Sequence, residues 1–127
     1  MKYFIAFIVI AILMFGICET NAQDATEIFI PVGQSPGVSG VYSIIAKIDV
    51  VKSEDRTINM SNSSGSYTVK IMEQTQIWLD RSKLKMTNKV GSFSDLKSNL
   101  TIEVRYKDKE QKGKVDWVKI QFENAGG

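Results

Sequence analysis

A chain of 127 residues with no histidine, one cysteine and a net charge of +2 can bury one core but lacks the ligands for soft metals. Zinc, copper, haem and iron–sulfur sites need imidazole or thiolate, as do Ser-His-Asp and Cys-His catalysis, so no cofactor or metal is expected. The weak net charge argues against nucleic acid or an anionic membrane as a partner.

Met1-Lys2 opens the chain with one positive charge. Tyr3 to Ile17 (YFIAFIVIAILMFGI) carries none, and Glu19-Thr20-Asn21-Ala22 closes the segment with small and polar residues. A basic start, an apolar run and a small-residue site describe a secretory signal peptide over residues 1–22, cleaved after Ala22. The run falls short of the roughly 20 apolar residues that a spanning helix needs. Cys18 follows Ile17 rather than a small residue, which argues against a lipoprotein. The expectation is a periplasmic or extracellular protein that meets the membrane only through the uncleaved signal. Removing Lys2 and Glu19 leaves the net charge unchanged.

Residues 23–40 read as an irregular leader. They hold both prolines, three glycines and one short apolar piece, Ile28-Phe29-Ile30. The loop Gly33 to Gly37 (GQSPG) lacks the Lys-Ser/Thr ending of a phosphate-binding loop. From Val41 the period becomes two: Tyr42, Ile44, Ala46, Ile48 and Val50 alternate with Ser43, Ile45, Lys47, Asp49 and Val51. Ser53 to Arg56 makes a turn, and Thr57 to Ser61 is a second strand. Asn62-Ser63-Ser64-Gly65 is a hairpin signal, and Ser66 to Met72 is a third strand. Thr75 to Leu79 is a short extended piece.

Arg81 to Val90 is polar and basic. Ser92 and Asp95 have capping-box spacing for a short helical segment, with Asn99 able to close it in a left-handed conformation. Leu100 to Tyr106 and Trp117 to Phe122 are the last two strands, joined by the charged loop Asp108 to Lys114. The expected core is Ile44, Ile48, Val69, Ile71, Ile102, Val104, Val118 and Ile120. This order predicts an all-β fold: a small five-stranded OB-like Greek-key barrel over residues 41–123. One short helical segment lies between strands three and four, and residues 124–127 form a flexible tail.

Four segments carry a resemblance. They are GQSPGVSG (Gly33 to Gly40), GSYTVKI with TQIWLD (Gly65 to Ile71, Thr75 to Asp80), FSDLKSNLTIEV (Phe93 to Val104) and DWVKIQ (Asp116 to Gln121). On these the chain resembles a group of small exported bacterial proteins of unknown function with an OB-like barrel. That resemblance implies a fold and an export route, and no catalytic residue.

The functional expectation is an exported non-catalytic binding or interaction module of the cell envelope, its partner an envelope protein or a glycan. Trp78 and Trp117 have the opposite parity from their inward-facing neighbours, and Arg81 and Lys119 lie near them in sequence. These four residues are the candidate ligand site. The two rings either stack on a sugar or base, or cover the outer sheet surface against the leader or the Arg81–Val90 loop. Other readings are a structural or assembly protein that adds Ile28-Phe29-Ile30 as a strand, or an oligosaccharide- or nucleic-acid-binding OB domain. Asp80, Asp95, Glu103 and Asp116 are scattered carboxylates, and Glu103 with Arg105 reads as a surface pair, so no enzyme is expected.

Overall fold

The computed structural model describes residues 26–123. The expected signal peptide, the first residues of the leader and the tail 124–127 lie outside the described residues. Alternating β-branched and polar residues form seven strands: β1 (Ser43–Lys52), β2 (Thr57–Asn62), β3 (Gly65–Lys70), β4 (Gln76–Asp80), β5 (Lys89–Val90), β6 (Thr101–Tyr106) and β7 (Val115–Gln121). They make one mixed sheet in the order β3-β2-β1-β6-β7-β4-β5. Every neighbouring pair is antiparallel except β4 with β7. The hydrogen-bonded sheet is not closed; β3 and β5 are its edges.

The length of β1 has a structural reason. Ser43 to Lys47 pairs with β6, while Lys47 to Lys52 pairs with β2, with an irregularity between Ile48 and Val50 where the strand turns from one partner to the other. The expected hairpin at Asn62–Gly65 forms, and Asn62 Oδ1 accepts the Ser64 amide at 2.8 Å. Seven strands replace the expected five for two reasons. The short piece at Thr75 to Leu79 is a full sheet member, cut from β3 by a turn in which Thr75 N–H donates to Met72 O. The basic loop contributes β5, whose two residues are too few to show a period.

The expected helical segment shrinks to one 3-10 turn, Phe93–Asp95, and a 3-10 turn that was not expected, Ser82–Leu84, stands in the basic loop. In the first, Ser92 N–H donates to Asp95 Oδ2 at 2.8 Å. Asn99 takes the left-handed conformation at φ 74°. No helix among the described residues is long and apolar enough to cross a membrane.

One face of the sheet carries the core. Ile44, Ile48, Val69, Ile71, Ile102, Val104, Val118 and Ile120 all belong to one buried cluster, with Ile58, Met60, Ile77, Leu79 and Leu96. Leu79 presses against Gly91, where an added Cβ would lie 2.6 Å from Leu79 Cδ2. Ile48→Val should destabilise by about 0.5–1.5 kcal/mol, because the lost methyl leaves a void. Val50→Ala, on the same strand but 46% exposed, should stay within about 0.5 kcal/mol. Alternation puts both on one face, but the irregularity after Ile48 turns Val50 outward and packs Val51 against the core instead; urea titration of both variants checks that shift.

Candidate functional site

The other face of the sheet is not a solvent face. Register sets its side chains in rows across four strands. Ser43, Arg105, Trp117 and Gln76 form one row, and Ile45, Glu103, Lys119 and Trp78 the next. Asp80 follows beside Gln121 and Thr101. The leader lies over these rows, and Glu103 and Lys119 are both fully buried.

Each buried polar side chain on this face holds the leader or its junction with β1. Glu103 Oε1 accepts the Gly33 amide at 2.9 Å; Oε2 accepts Ser39 Oγ at 2.7 Å and Ser43 Oγ at 2.6 Å. Asp80 Oδ2 accepts the Val32 amide at 2.9 Å, while its Oδ1 accepts from Ser82. Asn88 Nδ2 donates to Ile28 O at 3.1 Å. Lys119 Nζ donates to Glu27 Oε1 at 3.0 Å, Ile30 O at 2.9 Å and Ser35 Oγ at 3.2 Å. Gly33 turns toward Glu103 at φ +83°, a conformation that a side chain would strain. These bonds satisfy leader groups that would otherwise be buried without partners.

The Ser35–Lys119 contact brings together two residue types that serve elsewhere as nucleophile and base. Here Ser35 Oγ donates to Glu27 Oε1 at 2.6 Å, and the ammonium's three protons have three acceptors. The arrangement holds a cation and ties the leader down. It leaves Lys119 no lone pair with which to take a proton.

Trp78 and Trp117 meet as expected from their parity, with ring centroids 5.5 Å apart at 35°. Of the two readings of these rings, the open stacking surface is not the one found: they are only 7% and 5% exposed. They belong to the second layer, with Lys119 Nζ 4.5 Å from the Trp117 centroid and 5.9 Å from that of Trp78. Covering the outer surface against the leader is therefore their observed situation. Lys119, read from alternation as an exposed base, sits beneath the leader because its ammonium lies over indole and finds three acceptors. Glu103 is likewise no surface charge. Arg81 is held away from the pair, its guanidinium bonded to Thr87 O in its own loop. Ile28-Phe29-Ile30 forms no strand. The Phe29 and Ile30 amides close turns on Thr26 O and Glu27 O, and the Ile28 and Ile30 carbonyls accept from Asn88 and Lys119.

A groove of about 490 Å³ runs beside the leader, lined by Glu27, Val38, Gln76, Trp78, Arg105, Asp116 and Trp117. The small remaining exposure of the two indoles faces it. Arg105 pairs through Nη1 with Asp116 Oδ2 and lies 5.8 Å over the Tyr42 ring. Among the described residues, Arg105 Nε is the one buried side-chain nitrogen or oxygen with no hydrogen-bond partner. Burial works to raise the Glu27 carboxyl, but hydrogen bonds from Ser35 and Lys119 and the charges of Lys119 and Arg105 outweigh it. The carboxyl therefore lies below its ordinary 4.5.

The sign of that shift sets a pH dependence. A carboxyl lowered by folding contributes stability that is fully present above its unfolded value and is lost as pH falls through the folded one. Wild-type protein should lose leader attachment below about pH 4.5, and Glu27→Gln should flatten that acid limb. Thermal unfolding between pH 3 and 7 measures it; parallel curves for the two proteins would remove Glu27 from the account.

The alternation that misplaced Lys119 and Glu103 contained a usable signal. Two tryptophans beside a lysine and two carboxylates on one face of adjacent strands are a larger apolar area than a solvent face usually carries. Glu27, Ser35, Ser43, Asn88 and Arg105 had no such signal. Their partners are set by how the leader folds back. Comparison of the chain with protein-family models, curated proteins and solved structures gives no match.

Proposed function

We propose that this chain is an exported, non-catalytic binding module of the bacterial cell envelope, built on an OB-like barrel. Its ligand seat is the groove beside Trp78 and Trp117. The barrel reading rests on β3 and β4. They are five residues apart, and they pair with β2 and β7 from opposite ends of the sheet order. Taken as one bent third strand, they bring the two ends of the sheet together as a partly open five-stranded Greek-key barrel does. The resemblance to small exported OB-like proteins agrees with this.

The observation that carries the binding reading is a groove furnished with Arg105, Asp116, Glu27, Gln76 and the margins of two indoles. Arg105 Nε is buried without an acceptor; such a donor costs about 1–3 kcal/mol, which a ligand that draws the guanidinium into the groove would relieve. Trp78 and Trp117 are the chain's two tryptophans, so intrinsic fluorescence reports on the groove. Screened against mixed small molecules and short peptides, the mature protein should give hits that shift indole emission, and Arg105→Gln should lose them. Hits unaffected by Arg105→Gln would place the binding site elsewhere.

Export rests on residues 1–22. Mass spectrometry of the protein recovered from periplasm or medium should find a mature N-terminus near Gln23. An intact Met1 in the membrane fraction would contradict it.

A further inference from the structure

We infer that the groove takes a neutral saccharide, an inference that rests on the binding-module reading above. Charge comes first. Glu27 already faces Lys119 and Asp116 already faces Arg105, so the walls are electrically balanced. A phosphate, carboxylate or ammonium ligand would bring a charge with no free counter-charge to meet it and would still lose its hydration. A nucleic-acid backbone would set its phosphates against two carboxylates.

Hydrogen-bonding capacity narrows the class further. The partly exposed Arg105 guanidinium offers donors, the Glu27 and Asp116 oxygens offer acceptors, and the exposed Gln76 amide at the start of β4 offers both. Hydroxyl groups are the ligand chemistry that donates and accepts at every position. Phosphate is chiefly an acceptor and ammonium only a donor. Between these polar groups stand the exposed margins of two indoles and Val38, apolar surface for the C–H faces of a pyranose. The volume of about 490 Å³ lies in the range of small-molecule sites. The indole faces are covered by Lys119 and by each other, so the sugar lies along the ring margins.

The test is nuclear magnetic resonance of the ¹⁵N-labelled mature protein, reading the two indole N–H signals. The probes are cellotriose, maltotriose and N-acetylchitotriose, beside galacturonic acid, inorganic phosphate and trialanine. A neutral trisaccharide should shift both indole signals. Gln76→Ala should weaken that binding several-fold and Arg105→Gln about tenfold or more. Gln76 is exposed, so its variant reports on binding with the fold intact. If only galacturonic acid, phosphate or trialanine moves the indoles, the saccharide class is wrong while the groove remains a binding site. If none of the six moves them at millimolar concentration, both the class and the groove reading fall.

Discussion

Glu103→Ala is expected to destabilise the protein by about 3–5 kcal/mol, although sequence alternation reads this position as surface. Removing the carboxylate strands three donors at once: the Gly33 amide and the Ser39 and Ser43 hydroxyls. The Ser43 hydroxyl keeps a long contact to Val38 O at 3.4 Å, so the loss is less than three full hydrogen bonds. Glu103→Gln keeps one acceptor oxygen but turns an NH2 toward a donor, and should cost about half as much. Lys119→Met is the companion case. The cation over Trp117 would be lost with the three hydrogen bonds, but Glu27, a quarter exposed, would keep some hydration. Its cost should be about 2–3 kcal/mol. For a domain of this size, Glu103→Ala then lowers Tm by roughly 15 °C or more. A Glu103→Ala protein as stable as wild type would mean that the leader is not held by this carboxylate.

Trp117→Ala should cost about 3–5 kcal/mol, the range for a large buried aromatic, and not the near-zero cost of an exposed stacking residue. The indole fills the space between Trp78 and Lys119, and its loss opens a cavity under the leader. Wild-type emission should be blue and poorly quenched by acrylamide. In Trp117→Ala the remaining Trp78 should shift to the red and become quenchable as the leader loosens. A red, freely quenched wild type would restore the open-platform reading of the two rings.

The core was legible because period two reports it directly. Ile102, Val104, Val118 and Ile120 alternate cleanly, and all four are buried together. Asn99 and the Ser92–Asp95 turn were legible because local chemistry decides them. The outer face was not, because alternation separates the two faces of a sheet without saying what lies on the second. The leader, dense in proline and glycine and without period, reads as loop. Its structure comes from long-range bonds to Asp80, Asn88, Glu103 and Lys119, and no local signal reports those. Hence parity put Trp78 and Trp117 on the right face but left open whether they form a platform or a covered layer. The missed strands β4 and β5 share this cause: their pairing with β7 and with each other is non-local.

The central claim is that the leader is a fixed layer on the outer face of the sheet, held by buried polar side chains, and that it forms one wall of the groove beside Trp78 and Trp117. Hydrogen–deuterium exchange at the Val32 and Gly33 amides tests it most directly, because these amides donate to Asp80 and Glu103 and to nothing in the leader itself. Both should exchange far more slowly than open chain, with Gly33 accelerated in Glu103→Ala and Val32 in Asp80→Ala. Exchange of both amides at the open-chain rate in the wild-type protein would contradict the account.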